Sequence, residues 1–597
     1  MKSLLETVSS ILQDCGMQCG ANPNRDILTV ARRVEYEGDS FLTITLPAFC
    51  AEFERALSEG RFSPAHSTRF KSGRGTCLPR FLGGFMEKIF DSKGALLQHP
   101  SVDCIKAVRQ ICLLCKKILL PCSKRRMINA EKKFVEIESE LRNHVVDPCL
   151  HRIFCDVSRV IWSDLVGGVP FGDPYNELRP RHGPGVTAEG LRGNKKYLFP
   201  SWFLRLERVF PFSEFGISST LNSDGEHLAR NIPYLSPRDE LPVKVVLVPK
   251  TLKTPRVIAV EPNCMQFTQQ AIADWIRPRI EQRRYTSGHV NFTRQDVNAS
   301  LALTASADGS YATIDLSDAS DRVSCKLVRD MLRSVPAFSR YVFATRSTRA
   351  KLPSGGIIHL RKFASMGSAL CFPIESMVFF IAIVSKRIYD AGVRPTPRSI
   401  RKYSDGVYVY GDDIVVPTDV APSMVIGLSG FGLKVNPAKT FVTGKFRESC
   451  GVDAYDGVNV TPVYIRRMIP NHRADAHGLV SSVSLANQLY WAGYWRTCRG
   501  VRESVEKLIG TLPSIRQQDQ VLGWESFSNA LSFSGWHKDY QRPKLRCYVP
   551  IPTKLHDPLD GDPALLKCLR IVGLPVSPDH LRASVRFGNL ALKRRWI

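Results

Sequence analysis

The sequence contains no long apolar run, and its most apolar stretch, Met377 to Val384, is far too short to span a bilayer. Its opening residues, Met1-Lys2-Ser3-Leu4-Leu5-Glu6, meet an acid before any apolar core forms, so no secretory signal is expected. Internal repeats, low-complexity tracts and long flexible linkers are absent, which excludes solenoid and disordered architectures. No Gly-x-x-x-x-Gly-Lys-Ser/Thr loop occurs, which disfavours a nucleoside-triphosphate motor. The seventeen cysteines lack a spaced disulfide framework, and the expectation is a soluble cytoplasmic chain with reduced thiols. Cys112 and Cys115 form one Cys-x-x-Cys pair, with Cys122, His144, Cys149, His151 and Cys155 beyond it. No second pair follows, and Ile111, Leu113, Leu114, Ile118 and Leu119 surround the first, so a buried helical core is expected there in preference to zinc.

Acid is scarce relative to base. Against 56 acidic residues stand 82 basic ones, a net charge of +26 distributed along the chain. A dispersed basic surface suits a polyanion, of which nucleic acid is the commonest, although charge alone also fits a merely solvated surface. Hydrophobic residues at 44% and charged residues at 23% are ordinary for a globular protein, and 597 residues are too many for one core. Several subdomains follow.

The first 230 or so residues read as helix and loop, with a turn at His182-Gly183-Pro184-Gly185. Lys244 to Val248 and Val257 to Val260 read as two strands around a basic loop. After Thr313 a strand runs into a Ser/Asp-rich turn and then a helix, on which Val323, Leu327, Val328, Met331 and Leu332 share one face. From Pro470 to the end the pattern reads as mostly helical.

Val407-Tyr408-Val409-Tyr410-Gly411-Asp412-Asp413-Ile414-Val415-Val416 is a hairpin pattern with its turn at Gly411 and Asp412. Two adjacent acids at a tip repel each other unless a cation lies between them. Hard divalent ions such as Mg²⁺ are held by carboxylates. Asp315 supplies a further carboxylate, since it ends the apolar strand Ala312-Thr313-Ile314 where acid is out of place for packing. Asp318 reads instead as a helix cap.

The order of these pieces resembles the palm of viral RNA-dependent RNA polymerases, most closely the replicase catalytic subunits of single-stranded RNA bacteriophages. The matching residues are Val248-Pro249-Lys250 through Arg256 to Glu261-Pro262, and Thr313-Ile314-Asp315-Leu316-Ser317 with Ala319-Ser320-Asp321. Ser365-Met366-Gly367 with Glu375-Ser376 and Tyr410-Gly411-Asp412-Asp413 follow. Phe446-Arg447-Glu448-Ser449-Cys450-Gly451, then Val460-Thr461-Pro462 and Tyr464-Ile465-Arg466, complete the order, and the Arg447-Glu448-Ser449-Cys450-Gly451 stretch narrows the likeness to the phage enzymes. It covers about residues 244 to 470.

The resemblance implies an α+β right hand of fingers, palm and thumb, with an antiparallel palm sheet flanked by helices. Residues 1–240 would be an N-terminal region and fingers, 241–310 the basic hairpin and fingers, and 311–335 the first palm segment. Residues 336–400 would span fingers and palm, 401–470 the palm hairpin and the motifs after it, and 471–597 the thumb and C-terminal region. It implies two Mg²⁺ ions, replaceable by Mn²⁺, on Asp315, Asp412 and Asp413. Lys250, Lys253 and Arg256 would grip the triphosphate. Ser320, Asp321 or Ser365 would meet the ribose, with Gly367 permitting close approach to template or nucleotide. The later Asn that many relatives use for the sugar is missing, and Glu375-Ser376 stand near its place. Lys439 matches the family lysine held to protonate the leaving pyrophosphate, although a surface lysine after a turn would look the same. The implied setting is replication of a positive-strand phage genome in the bacterial cytoplasm. Template and product RNA, ribonucleoside triphosphates, host elongation factors Tu and Ts and a ribosomal protein would be its partners. A reverse transcriptase shares the palm and the Asp-Asp hairpin, but no nuclease domain is evident. A non-catalytic RNA-binding protein explains the charge and not the acids at strand ends.

Overall fold

The computed structural model describes residues 2–63, 69–167, 177–516, 521–528, 532–552, 557–571 and 590–597. Helices α1 (Lys2–Cys19), α2 (Leu46–Glu59) and α3 (Val102–Leu113) open the chain. α3 begins where the Ser101 hydroxyl accepts from Cys104 N, the usual relief for an unpaired first-turn amide. Their apolar faces form one core, in which Cys112 and Cys115 are buried as expected. The same core takes in Phe446, Tyr455, Leu489 and Val501, so early and late parts of the chain share an interior.

α4 (Lys124–Asn143) is polar along most of its length and buries only Phe134, Ile137 and Glu138. α5 (Pro148–Val166) is capped by Asp147, whose carboxylate accepts from Leu150 N. β1 (Val243–Val248) and β2 (Arg256–Val260) form the expected antiparallel hairpin, closed by the Val248–Arg256 pair. α6 (Gln295–Asp308) leads into β3 (Tyr311–Ser317).

Beyond β3 the single helix expected through Leu332 is two, α7 (Ala319–Arg322) and α8 (Cys325–Met331). Between them the chain pairs with another segment: Phe363 N donates to Val323 O, and Cys325 N to Arg361 O. The apolar face survives the break, since Val323, Leu327, Val328, Met331 and Leu332 are all buried. α9 (Cys371–Asp390) is apolar on nearly every side and runs through the largest core.

β4 (Tyr408–Tyr410), β5 (Asp413–Pro417) and β6 (Lys434–Val435) join β3 in a sheet of order β6-β3-β5-β4, every pair antiparallel. α6 and α9 lie against it. β7 (Phe446–Ser449) and β8 (Val452–Tyr455) form the next hairpin, and α10 (Ala476–Trp491) and α11 (Trp495–Ile509) follow. The expectation of a mostly helical end is corrected here. β9 (Arg546–Pro552) pairs antiparallel with β10 (Leu590–Trp596), and Pro550 and Pro552 would have broken a helix. The parts of that expectation at 517–520, 529–531, 553–556 and 572–589 lie outside the described residues. Among the described residues no helix is long and apolar enough to cross a membrane.

Candidate active site

The β4–β5 hairpin turns through Gly411 and Asp412, with Tyr410 paired to Asp413 across it. Gly411 has φ +61°, the sign a tight hairpin needs at its first central residue, and any Cβ there would collide with the Phe372 ring. Asp413 then falls directly opposite Asp315 on the neighbouring strand β3, and Asp412 projects exposed from the turn. Asn298 holds the hairpin from behind, its Nδ2 donating to Asp413 O at 3.1 Å.

These carboxyls crowd one another. Burial pushes Asp413 up to about 7, and the charges of Asp412, Asp315 and Glu448 add to it, while a hydrogen bond from Cys450 N opposes. Burial pushes Asp315 up to about 6 against the opposing pull of Lys439 and Asn436. Among the described residues no three His, Cys, Asp or Glu side chains are already gathered as a metal site. The donors are nonetheless the oxygen ligands a hard cation takes.

Lys439 is placed at this site and not on a featureless surface. Its Nζ lies 2.9 Å from Glu448 Oε1 and 3.9 Å from Asp315 Oδ1. Loss of hydration alone would lower it, but Glu448 and Asp315 hold it above the usual lysine range. Asn436 donates from Nδ2 to Asp315 Oδ2 at 2.8 Å and from its backbone N to Asp315 O at 2.9 Å. Glu448 and Asn436 were not singled out as site residues. Glu448 could have been, because it lies within the Arg447-Glu448-Ser449-Cys450-Gly451 stretch that carried the resemblance. Arg447 itself is structural: its guanidinium donates to the carbonyls of Tyr311, Gly444 and Phe446, tying β7 to the start of β3.

The basic hairpin divides. Lys250 lies close enough to sense Asp412 and Asp315, and lost hydration, Arg256 and Lys439 lower it from the usual lysine range. Arg256 is exposed at the first position of β2. Lys253 is exposed in the loop, and no hydrogen bond or ion pair ties it to the carboxylates. Arg126 donates to Leu252 O at 2.9 Å and the Cys122 thiol to Thr251 O, so the loop is moored to the start of α4.

Asp321 and Ser365, two candidates for the sugar, touch each other: Ser365 Oγ donates to Asp321 Oδ1 at 2.7 Å. Ser320 is buried beside the Cys371 thiol. Gly367 lies at φ +130° because a Cβ would strike Ala259 O, so its close approach is to β2. Asp318 is corrected here. It sits at φ +54° before α7 with no side-chain cap bond, and its carboxylate meets Lys133 Nζ at 2.6 Å. Glu375 is buried near Cys371, and that burial with the Asp412 charge drives it well above the usual carboxyl range.

Residues 240–508 match the family of the RNA replicase beta-chain. That stretch contains every motif on which the resemblance rested. Among individual relatives, the chain is 32% identical over 358 residues to the RNA-directed RNA polymerase subunit beta of Qbeta virus (strain MX1), covering 60% of this chain and 54% of that one. It is 36% identical over 229 residues to the RNA-directed RNA polymerase beta chain of Escherichia phage MS2, covering 38% of each. The chain therefore spans about half, or less, of the length of the curated relatives it matches. Among solved structures, the RNA-dependent RNA polymerase of a human picorbirnavirus aligns at a TM-score of 0.37 and 11% identity, over 67% of this chain and 76% of that one.

Proposed function

We propose that this chain synthesises RNA on an RNA template, as the catalytic subunit of a replicase that copies a positive-strand phage genome. The observation that carries the reading is the placement of Asp315 opposite Asp413, beside the exposed Asp412, within the stretch that matches replicase beta-chains. In the right-hand terms of the family, the sheet β6-β3-β5-β4 is the palm, α10 and α11 belong to the thumb, and the β1–β2 hairpin is a fingertip. The earlier segments are an N-terminal region and fingers.

Asp315, Asp412 and Asp413 would hold two Mg²⁺ ions, or Mn²⁺, and burial and mutual charge on Asp315 and Asp413 are strains that a cation relieves. When bound, such ions supply Lewis acidity toward a primer hydroxyl and a triphosphate. The chain's own groups do the rest. Lys250 and Arg256, with Lys253 at the loop tip, offer positive charge to the triphosphate. Lys439, kept charged by Glu448, is the proton source for the leaving pyrophosphate. Asp321 and Ser365 face the sugar, with Ser320 behind them. RNA and ribonucleoside triphosphates are the ligands, and the host factors Tu, Ts and a ribosomal protein are further partners, in the bacterial cytoplasm.

The test incubates the purified chain with RNA, magnesium and either ribo- or deoxynucleotides, with and without bacterial extract. Magnesium-dependent incorporation of ribonucleotides supports the reading. Preference for deoxynucleotides would make it a reverse transcriptase, and RNA binding without incorporation a binding protein.

A further inference from the structure

Lys362 has no exposed side-chain surface, yet it carries a charge in the interior of a basic protein. A buried ammonium is costly unless paired, so its partners define what it is for. Its Nζ lies 3.2 Å from Asp321 Oδ1 and 3.2 Å from Glu138 Oε1, and 3.5 Å from the centre of the Phe134 ring. Glu138 and Phe134 belong to α4, far earlier in the chain. The Glu138 carboxylate is itself held, accepting from the backbone amides of Arg361 and Lys362.

One oxygen of Asp321 is fixed by this arrangement. Oδ1 accepts from Ser365 Oγ and from Lys362, and no described residue donates to Oδ2. An ionised carboxylate accepts hydrogen bonds only, so Oδ2 is an acceptor with a set direction. The segment carrying Lys362 and Ser365 runs along the break between α7 and α8, bridged at Ser324–Lys362, which brings lysine, serine and aspartate into one unit. α4 makes two more contacts with the same turn, Lys133 with Asp318 and Glu140 with Arg322. This helix props the turn from Asp318 to Arg322 along its whole length.

We propose that Lys362 is a positioning residue, which aims Asp321, and with it Ser365, at the ribose 2′-hydroxyl of the incoming nucleotide. The inference rests on the polymerase reading above and adds the residue that sets its sugar specificity. A site that must accept from one hydroxyl loses discrimination when its acceptor can rotate, because the deoxy analogue no longer leaves a fixed group unpaired. A general loss of structure would slow both sugars alike.

The experiment measures kcat/KM for a ribonucleotide and for its deoxy analogue on one RNA template, in the full chain and in Lys362→Met, Glu138→Gln and Asp321→Ala. Both rates come from one preparation, so their ratio does not depend on how much of a variant is folded. Lys362→Met is expected to lower the ribose preference about tenfold, chiefly through a raised KM for the ribonucleotide. Asp321→Ala should match or exceed it, and Glu138→Gln should move the ratio the same way by a smaller factor. If Lys362→Met yields no folded protein, Glu138→Gln carries the test. An unchanged ratio in Lys362→Met or in Asp321→Ala overturns the assignment, as does one in Glu138→Gln where it stands alone. Failure of the unaltered chain to make RNA even with bacterial extract supplied overturns the polymerase reading, and this inference with it.

Discussion

Asp315 and Asp413 are register partners on adjacent antiparallel strands, so their side chains share one face of the sheet. Opposed like charges destabilise a strand pair, and here both are also partly buried. The pair is a cost to folding that a bound cation would remove.

That cost has a sign in pH. Burial raises Asp413 to about 7 and Asp315 to about 6, above their unfolded values, so the folded protein binds more protons than the unfolded one between about pH 4 and 7. Stability from these groups is present below pH 4 and is lost as pH rises through 6 and 7. Added magnesium should therefore raise the melting temperature at pH 8 and have little effect at pH 5. Thermal melts at the two pH values, with calcium and sodium as controls, check this; equal shifts at both would argue against a carboxylate site.

Arg256→Ala should depress nucleotide incorporation more than template binding, because Arg256 stands beside Lys250, which itself senses Asp412 and Asp315. Lys should substitute only in part, since a point charge does not reproduce a bidentate fork. Filter binding of RNA and the KM for nucleotide, measured together, separate the two effects. Lost RNA affinity with a normal KM would reassign Arg256 to the template.

Glu448→Gln removes the strongest partner of Lys439 while keeping its size. Lys439 should then fall back toward the ordinary lysine range, moving the alkaline limb of the pH–rate profile to lower pH. A profile displaced in height alone would leave Lys439 without a role in proton transfer.

Gly367→Ala tests the packing assignment. A Cβ at φ +130° would collide with Ala259 O, and backbone strain of this kind costs about 1–3 kcal/mol. Chemical denaturation should register a loss of at least that order, with the β1–β2 hairpin displaced.

Local pattern made some of this legible. Gly411 and Asp412 sit between β-branched and aromatic runs, a signal carried by adjacent residues, and the turn lies where it reads. The out-of-place acid Asp315 gave away the strand but not its end, since β3 runs on to Ser317, with Leu316 and Ser317 paired to β6. What stayed hidden depends on residues far apart in sequence. The hydrogen bond between Asp321 and Ser365 crosses 44 positions, and Glu138 lies 224 positions from Lys362, whose amide it holds. No periodicity reports such a pairing. The helix expected through Val323 and Leu332 broke for the same reason, because residues 361–363 take over its backbone bonds. Asp318 reads as a cap in a local window and is instead claimed by Lys133 of α4.

Asp412→Asn tests the central claim most directly, because Asp412 is exposed at the turn and the substitution keeps its shape. Nucleotide incorporation and RNA affinity are to be measured side by side on the unaltered and altered chains, in magnesium and with bacterial extract supplied. The expected result is incorporation lowered by at least a hundredfold, about 2.7 kcal/mol of transition-state stabilisation, with RNA affinity within about twofold. Substantial RNA synthesis by Asp412→Asn would contradict the assignment of this carboxylate to the metal-binding centre.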